Sequence, residues 1–130
     1  MPKKIAIDFD GVIHRYSKGY QDGKIYDIPL QGAFRSIKKL IDDGNQVFIL
    51  SSRRPRQIRR WLKEQFSKMS DSERAELAFK YQVVPFYIKI WKKKGVLGIA
   101  HRKLPAQFYI DDRAVKFDGD WEKTLLHFND

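Results

Sequence analysis

The chain contains no cysteine. That excludes disulfide staples and thiolate metal sites, and it fits a reducing intracellular setting. No apolar run approaches the roughly 20 residues that a membrane-spanning helix needs. No Gly-x-x-x-x-Gly-Lys loop is present, so nothing points to a fused kinase. Histidine is scarce, at 3 residues in 130. Acidic residues are outnumbered, 16 against 26 Lys plus Arg, which leaves a formal net charge of +10. Such an imbalance favours anionic partners: nucleotides, nucleic acid, phosphorylated metabolites or anionic surfaces. The positive residues gather at Arg53-Arg54-Pro55-Arg56, Arg59-Arg60, Lys92-Lys93-Lys94 and His101-Arg102-Lys103. A solvated helix face accounts equally well for Arg59, Arg60 and Lys63.

What is present describes an ordinary globular protein. With 42% hydrophobic and 32% charged residues, the chain is expected to form one domain over 1–130, with a real core but no separate substrate domain. The first strand candidate begins almost at Met1, so no room for a secretory signal is expected and the predicted location is cytoplasmic. There is no internal repeat or low-complexity linker.

The organising stretch is Ile5-Ala6-Ile7-Asp8-Phe9-Asp10-Gly11. The apolar run reads as a strand buried on both faces. Alternation along a strand puts Asp8 and Asp10 on the same side as the chain leaves the sheet. Gly11 allows a sharp turn there. Paired carboxylates repel, so they imply a cation, a shared proton or divided roles.

From His14 to about residue 31 the chain is polar and aperiodic, with turn signals at Gly19 and Asp22-Gly23. It reads as a short lid loop beside Asp8. Helices are predicted from about 33 to 43, ended by Gly44, from Pro55 to Met69, and from a Ser70–Glu73 capping box onward. Strands are predicted over 46–50, ending at Ser51-Ser52-Arg53, over 83–90, and over 107–110, ending at Asp111-Asp112-Arg113. The stretch 91–104 is basic and irregular, with at most a turn of helix. A short C-terminal helix starts near Asp120. Alternating strands and helices predict an α/β three-layer sandwich around a mainly parallel sheet. In such sheets ligands bind beyond the carboxyl ends of the strands, where Asp8/Asp10, Ser51 and Asp111/Asp112 would converge.

Four carboxylates in one crevice suit a hard, oxygen-liking cation, above all Mg²⁺. Asp111-Asp112 alone reads first as a helix N-cap or an ion pair with Arg113; the company of Asp8 and Asp10 makes it a site. Ser51 could cap a helix or donate to a phosphoryl oxygen, with Ser52 and Arg53 beside it as further phosphate-binding candidates. Lys103 is either one more surface lysine or the cation that neutralises a phosphoryl group.

The ordered set Asp8-Phe9-Asp10-Gly11-Val12, Val47-Phe48-Ile49-Leu50-Ser51, Lys103-Leu104-Pro105-Ala106 and Tyr109-Ile110-Asp111-Asp112-Arg113 resembles the four signatures of the haloacid dehalogenase (HAD) superfamily. The resemblance spans nearly the whole chain. It implies that Asp8 is the nucleophile, forming an aspartyl-phosphate, and that Asp10 is the general acid/base. It also implies that Mg²⁺ is held by Asp8, the Asp10 main chain and Asp111 or Asp112. Ser51, Lys103 and loop amides would grip the phosphoryl oxygens, and Arg102 or Lys94 could replace Lys103. The first interval is too short for a large cap domain. The second, Arg53 to Arg102, holds about two helices and a strand, which a core crossover can absorb. The resemblance therefore implies an essentially capless member with an open site. The implied activity is a Mg²⁺-dependent phosphomonoesterase. Its substrate is a small phosphorylated metabolite or a nucleotide or nucleic-acid phosphate end, the Asp-Asp-Arg ending being similar to that of polynucleotide 3′-phosphatases. Two alternatives stand beside it: a nucleic-acid-binding module on the same scaffold, with weak or lost catalysis, and phosphoryl transfer to an acceptor other than water. Oligomeric state cannot be read from these motifs.

Overall fold

A computed structural model describes residues 2–128. The apolar runs form strands β1 (Lys4–Ile7), β2 (Gln46–Leu50), β3 (Lys80–Val83), β4 (Val96–Ala100) and β5 (Phe108–Ile110). The helices are α1 (Ala33–Asp42), α2 (Pro55–Ser67), α3 (Asp71–Leu77) and α4 (Trp121–Leu125), the last continued by a 3₁₀ turn at Leu126–Phe128. All five strands are parallel, in the order β3-β4-β2-β1-β5. The chain is thus the α/β fold expected, with a wholly parallel sheet.

Strand alternation sorts the core. Ile5, Ile7, Val47, Ile49, Leu97 and Ile99 point to the face that carries Phe34, Ile37 and Ile41 of α1 and Ile58, Trp61, Leu62 and Phe66 of α2. Each such side chain contributes roughly 1.5–3 kcal/mol by leaving water. Ala6, Phe48 and Ala100 point the other way, against Trp91 and Leu104. That second layer is built from the connections 84–95 and 101–107, which hold turns and irregular chain but no helix. Gly98 makes the layer possible: a Cβ there would lie 2.8 Å from the Trp91 indole.

Local signals hold where they were strongest. Ser70 Oγ accepts from the Glu73 N–H and Glu73 returns the bond to the Ser70 N–H, both at 3.2 Å, which is the capping box. Pro55 opens α2, and Gly44, at φ 89°, follows the last turn of α1. Two predictions need correction. The strand expected over 83–90 is β3 at 80–83, because Pro85 cannot donate to a ladder. The stretch 91–104 contains β4. α4 buries none of its side chains.

Candidate active site

β1 lies between β2 and β5, with Ile7 opposite Ile49 on one side and Ile110 on the other. The next residues therefore emerge together. The Asp8 N–H still bonds the Ile110 carbonyl at 2.9 Å, so Asp8 leaves the sheet with Ser51 and Asp111 on its two flanks. Asp8, Asp111 and Asp112 each offer a carboxylate oxygen within 4.8 Å of the others. Burial raises the Asp8 carboxyl above its ordinary value; the Phe9 N–H on Oδ1 opposes this, and the charges of Asp111, Asp112 and Asp10 add to the rise. An uncompensated group of this kind, all oxygen donors, fits a hard divalent cation such as Mg²⁺. Gly11 sets the spacing. Its φ is +82°, and a Cβ there would fall 2.2 Å from Asp112 Oδ2, so the loop after β1 and the Asp112 carboxylate can touch only without a side chain.

Asp10 stands apart from that cluster. Arg53 Nε donates to Asp10 Oδ2 at 2.8 Å and to Oδ1 at 3.1 Å. His14 is fully buried. Its Nε2 accepts the Asp27 N–H at 3.0 Å, so the ring proton sits on Nδ1, which donates to Asp10 Oδ1 at 2.8 Å. Stacking on Phe9 and edge contacts with Tyr16, Tyr26 and Trp61 fix the ring. The side chain of Asp10 is therefore aimed by two neighbours, and both its oxygens act as acceptors. Neither neighbour was given this role by the sequence. His14 lay in an aperiodic stretch, and Arg53 reads as a phosphate ligand.

Arg53 also ties the lid to the sheet. Its Nη1 donates to the Gly23 carbonyl at 2.6 Å, and the Trp61 indole N–H donates to the Asp27 carbonyl at 3.0 Å. The base of the lid is a short antiparallel pairing, with the Arg15 N–H on the Ile28 carbonyl and the Leu30 N–H on the Ile13 carbonyl. A cleft of about 470 Å³ opens between lid and strand ends, lined by Asp8, Asp10, Ser51, Ser52, Arg54 and Arg113 among others. A second hollow of about 290 Å³ shares Asp8, Ser51 and Ser52 and adds His101, Tyr109 and Asp111.

Ser51 is buried, and its Oγ accepts the Arg53 N–H at 3.1 Å, which leaves the hydroxyl proton for a ligand. Of the loop amides, Phe9 bonds Asp8 Oδ1 and Gly11 bonds the His14 carbonyl. Lys103 lines neither cleft; its ammonium lies over the Tyr109 ring, 5.0 Å from the centroid. Arg102 is engaged with the Ile88 carbonyl. Arg54 and Arg113 are the cations that reach the larger cleft without an ion pair among the described residues.

No family model, no curated protein and no solved structure matches the chain. Among the described residues no helix is long and apolar enough to cross a membrane.

Proposed function

We propose that the chain is a Mg²⁺-dependent phosphomonoester hydrolase of the haloacid dehalogenase type, working in the cytoplasm. The observation that carries this reading is the meeting of Asp8, Ser51 and Asp111–Asp112 on three adjacent strand ends, with a separately held Asp10 beside them. Asp8 attacks phosphorus as the ester P–O bond breaks, and Asp10 in its acid form gives the leaving oxygen its proton. Asp10 then takes a proton from water as the water oxygen attacks the same phosphorus, which releases phosphate and restores Asp8. His14 and Arg53 hold Asp10 in the acceptor geometry needed for that second step. The Ser51 hydroxyl and the cations Arg54 and Arg113 bind phosphoryl oxygens. Mg²⁺ held by Asp8 and Asp111–Asp112 would offset their repulsion and polarise the phosphoryl group. The substrate class is a phosphorylated small molecule or a nucleic-acid phosphate end, and the charge of +10 favours the second.

The test is phosphate release from an aryl phosphate, nucleoside monophosphates and 3′- or 5′-phosphorylated oligonucleotides, with Mg²⁺ or chelator. Turnover that needs Mg²⁺ and vanishes in Asp8→Asn supports the reading; turnover retained by Asp8→Asn contradicts it. One placement favours a second reading, a nucleic-acid-binding module with weak or lost catalysis: Lys103 stands over Tyr109 rather than in the cleft. Oligonucleotide binding that falls steeply with salt, with no phosphate released, would select it.

A further inference from the structure

Beyond the wall formed by Arg54 and His101 lies another hollow, of about 360 Å³. Arg54 is shared with the cleft that holds Asp8 and Asp10, and His101 with the hollow that holds Asp8, Ser51 and Asp111. Arg54 and His101 thus border this space on one side and the clefts that hold Asp8 on the other. The interior is apolar, with Val83, Val84, Pro85 and Leu104 as walls and Phe86 at the rim. Phe86 is 86% exposed and Tyr87 66% exposed, the two rings edge-on at 5.9 Å. Leaving two adjacent aromatic rings in water forfeits burial energy, and a cluster of this kind marks a contact site. The loop that presents them is shaped by its own bonds: the Ile88 N–H closes a turn on the Pro85 carbonyl at 3.0 Å, and the Arg102 guanidinium holds the Ile88 carbonyl.

An exposed aromatic ring at the rim, an apolar slot and a cation shared with the phosphate-side cleft match one ligand design, a planar base joined through a sugar to a phosphate. The charge around the slot adds a direction. α2 starts at this rim with Pro55, and its Arg56, Arg59 and Arg60 are exposed, which suits the phosphates of a continuing strand. We propose that the hollow is a subsite for the base of the terminal nucleotide of a nucleic-acid strand whose phosphomonoester sits at Asp8. This rests on the phosphohydrolase reading for the position of the phosphate.

The experiment has a kinetic and a binding arm, both on the full chain. In the first, KM is measured with Mg²⁺ for an aryl phosphate, a nucleoside 3′-monophosphate and a 3′-phosphorylated single-stranded hexanucleotide. The ratio of oligonucleotide KM to aryl phosphate KM should rise about tenfold in Phe86→Ala and return in Phe86→Trp. An unchanged ratio overturns the subsite, and equal KM values for mononucleotide and hexanucleotide overturn the strand. The second arm reads fluorescence anisotropy of the labelled hexanucleotide on Asp8→Asn, so it stands even if no phosphate is ever released. Removing the terminal base should weaken binding about tenfold, and Phe86→Ala should abolish that difference. Equal binding of the intact and abasic strands overturns the proposal.

Discussion

Gly11 and Asp8 show how narrowly the site depends on single residues. Gly11→Ala places a Cβ 2.2 Å from Asp112 Oδ2, at a positive φ, so it should cost about 1–3 kcal/mol. It should also move Asp112 out of the acidic group, and thermal unfolding with and without Mg²⁺ would show both losses. Asp8 is the reverse case. Burial first, then the neighbouring carboxylates, raise its folded value above the ordinary 3.8. The folded chain thus holds that proton more tightly than the unfolded chain, and stability falls as pH rises from the ordinary value through the raised one. Asp8→Asn removes that loss. In metal-free buffer at pH 7 the variant should be more stable than the parent in denaturant titration. At this scale the sequence was informative for Asp8, Ser51 and Asp111, because each directly follows an apolar strand, and for Asp112 as the neighbour of Asp111. It was silent on His14, whose burial comes from Phe9, Tyr26 and Trp61, residues with no common period. Arg53 was legible as a charge but not as the partner of Asp10, since that pairing spans 43 positions.

Among the elements, the lid and the second layer make separate predictions. Asp27 secures the lid through the Ser17 hydroxyl and N–H and through the Ile28 N–H. The Ser17 hydroxyl bond first, then these amides, lower its carboxyl to about 2. A depressed carboxyl contributes stability that is complete above its ordinary value of 3.8 and is lost as pH falls through about 2. Protection of the Ser17 and Ile28 amides relative to their intrinsic exchange should fall across that window in the parent and stay level in Asp27→Asn. In the second layer, Gly98→Ala drives a methyl into the buried Trp91 indole and should cost about 1–3 kcal/mol, read as a lower Tm. This glycine also explains why β4 was missed. Gly95 and Gly98, after three lysines, read as loop, whereas Gly98 is there to admit Trp91. β1 and β2, with no glycine and no side chain pressed into the backbone, were plain.

For the molecule as a whole, the connectivity makes the site. The chain winds outward from β1 through β2, then returns past it to place β5 on the opposite side, so β1 is the switch point where a crevice opens. The return from β4 to β5 uses only residues 101–107. It must cross three strand spacings of about 4.8 Å and run back from the carboxyl to the amino end of the sheet, farther than seven residues can reach as a helix rising about 1.5 Å each. That is why Leu104, beside Trp91 from the earlier connection, covers this side rather than a helix. The same economy brings His101 and Tyr109 to the site while leaving Lys103 on the surface. Alternation of strands and helices made the sheet legible in advance. Which connections would lack a helix was not, because it depends on the order of strands in space.

The central claim is that Asp8 carries the phosphoryl group. The most direct measurement is acid quenching during turnover of a radiolabelled phosphomonoester, followed by mapping of protein-bound label. Hydroxylamine-sensitive label is expected on the peptide containing Asp8 and absent from Asp8→Asn. Phosphate release without any label on that peptide, and undiminished in Asp8→Asn, would contradict that claim.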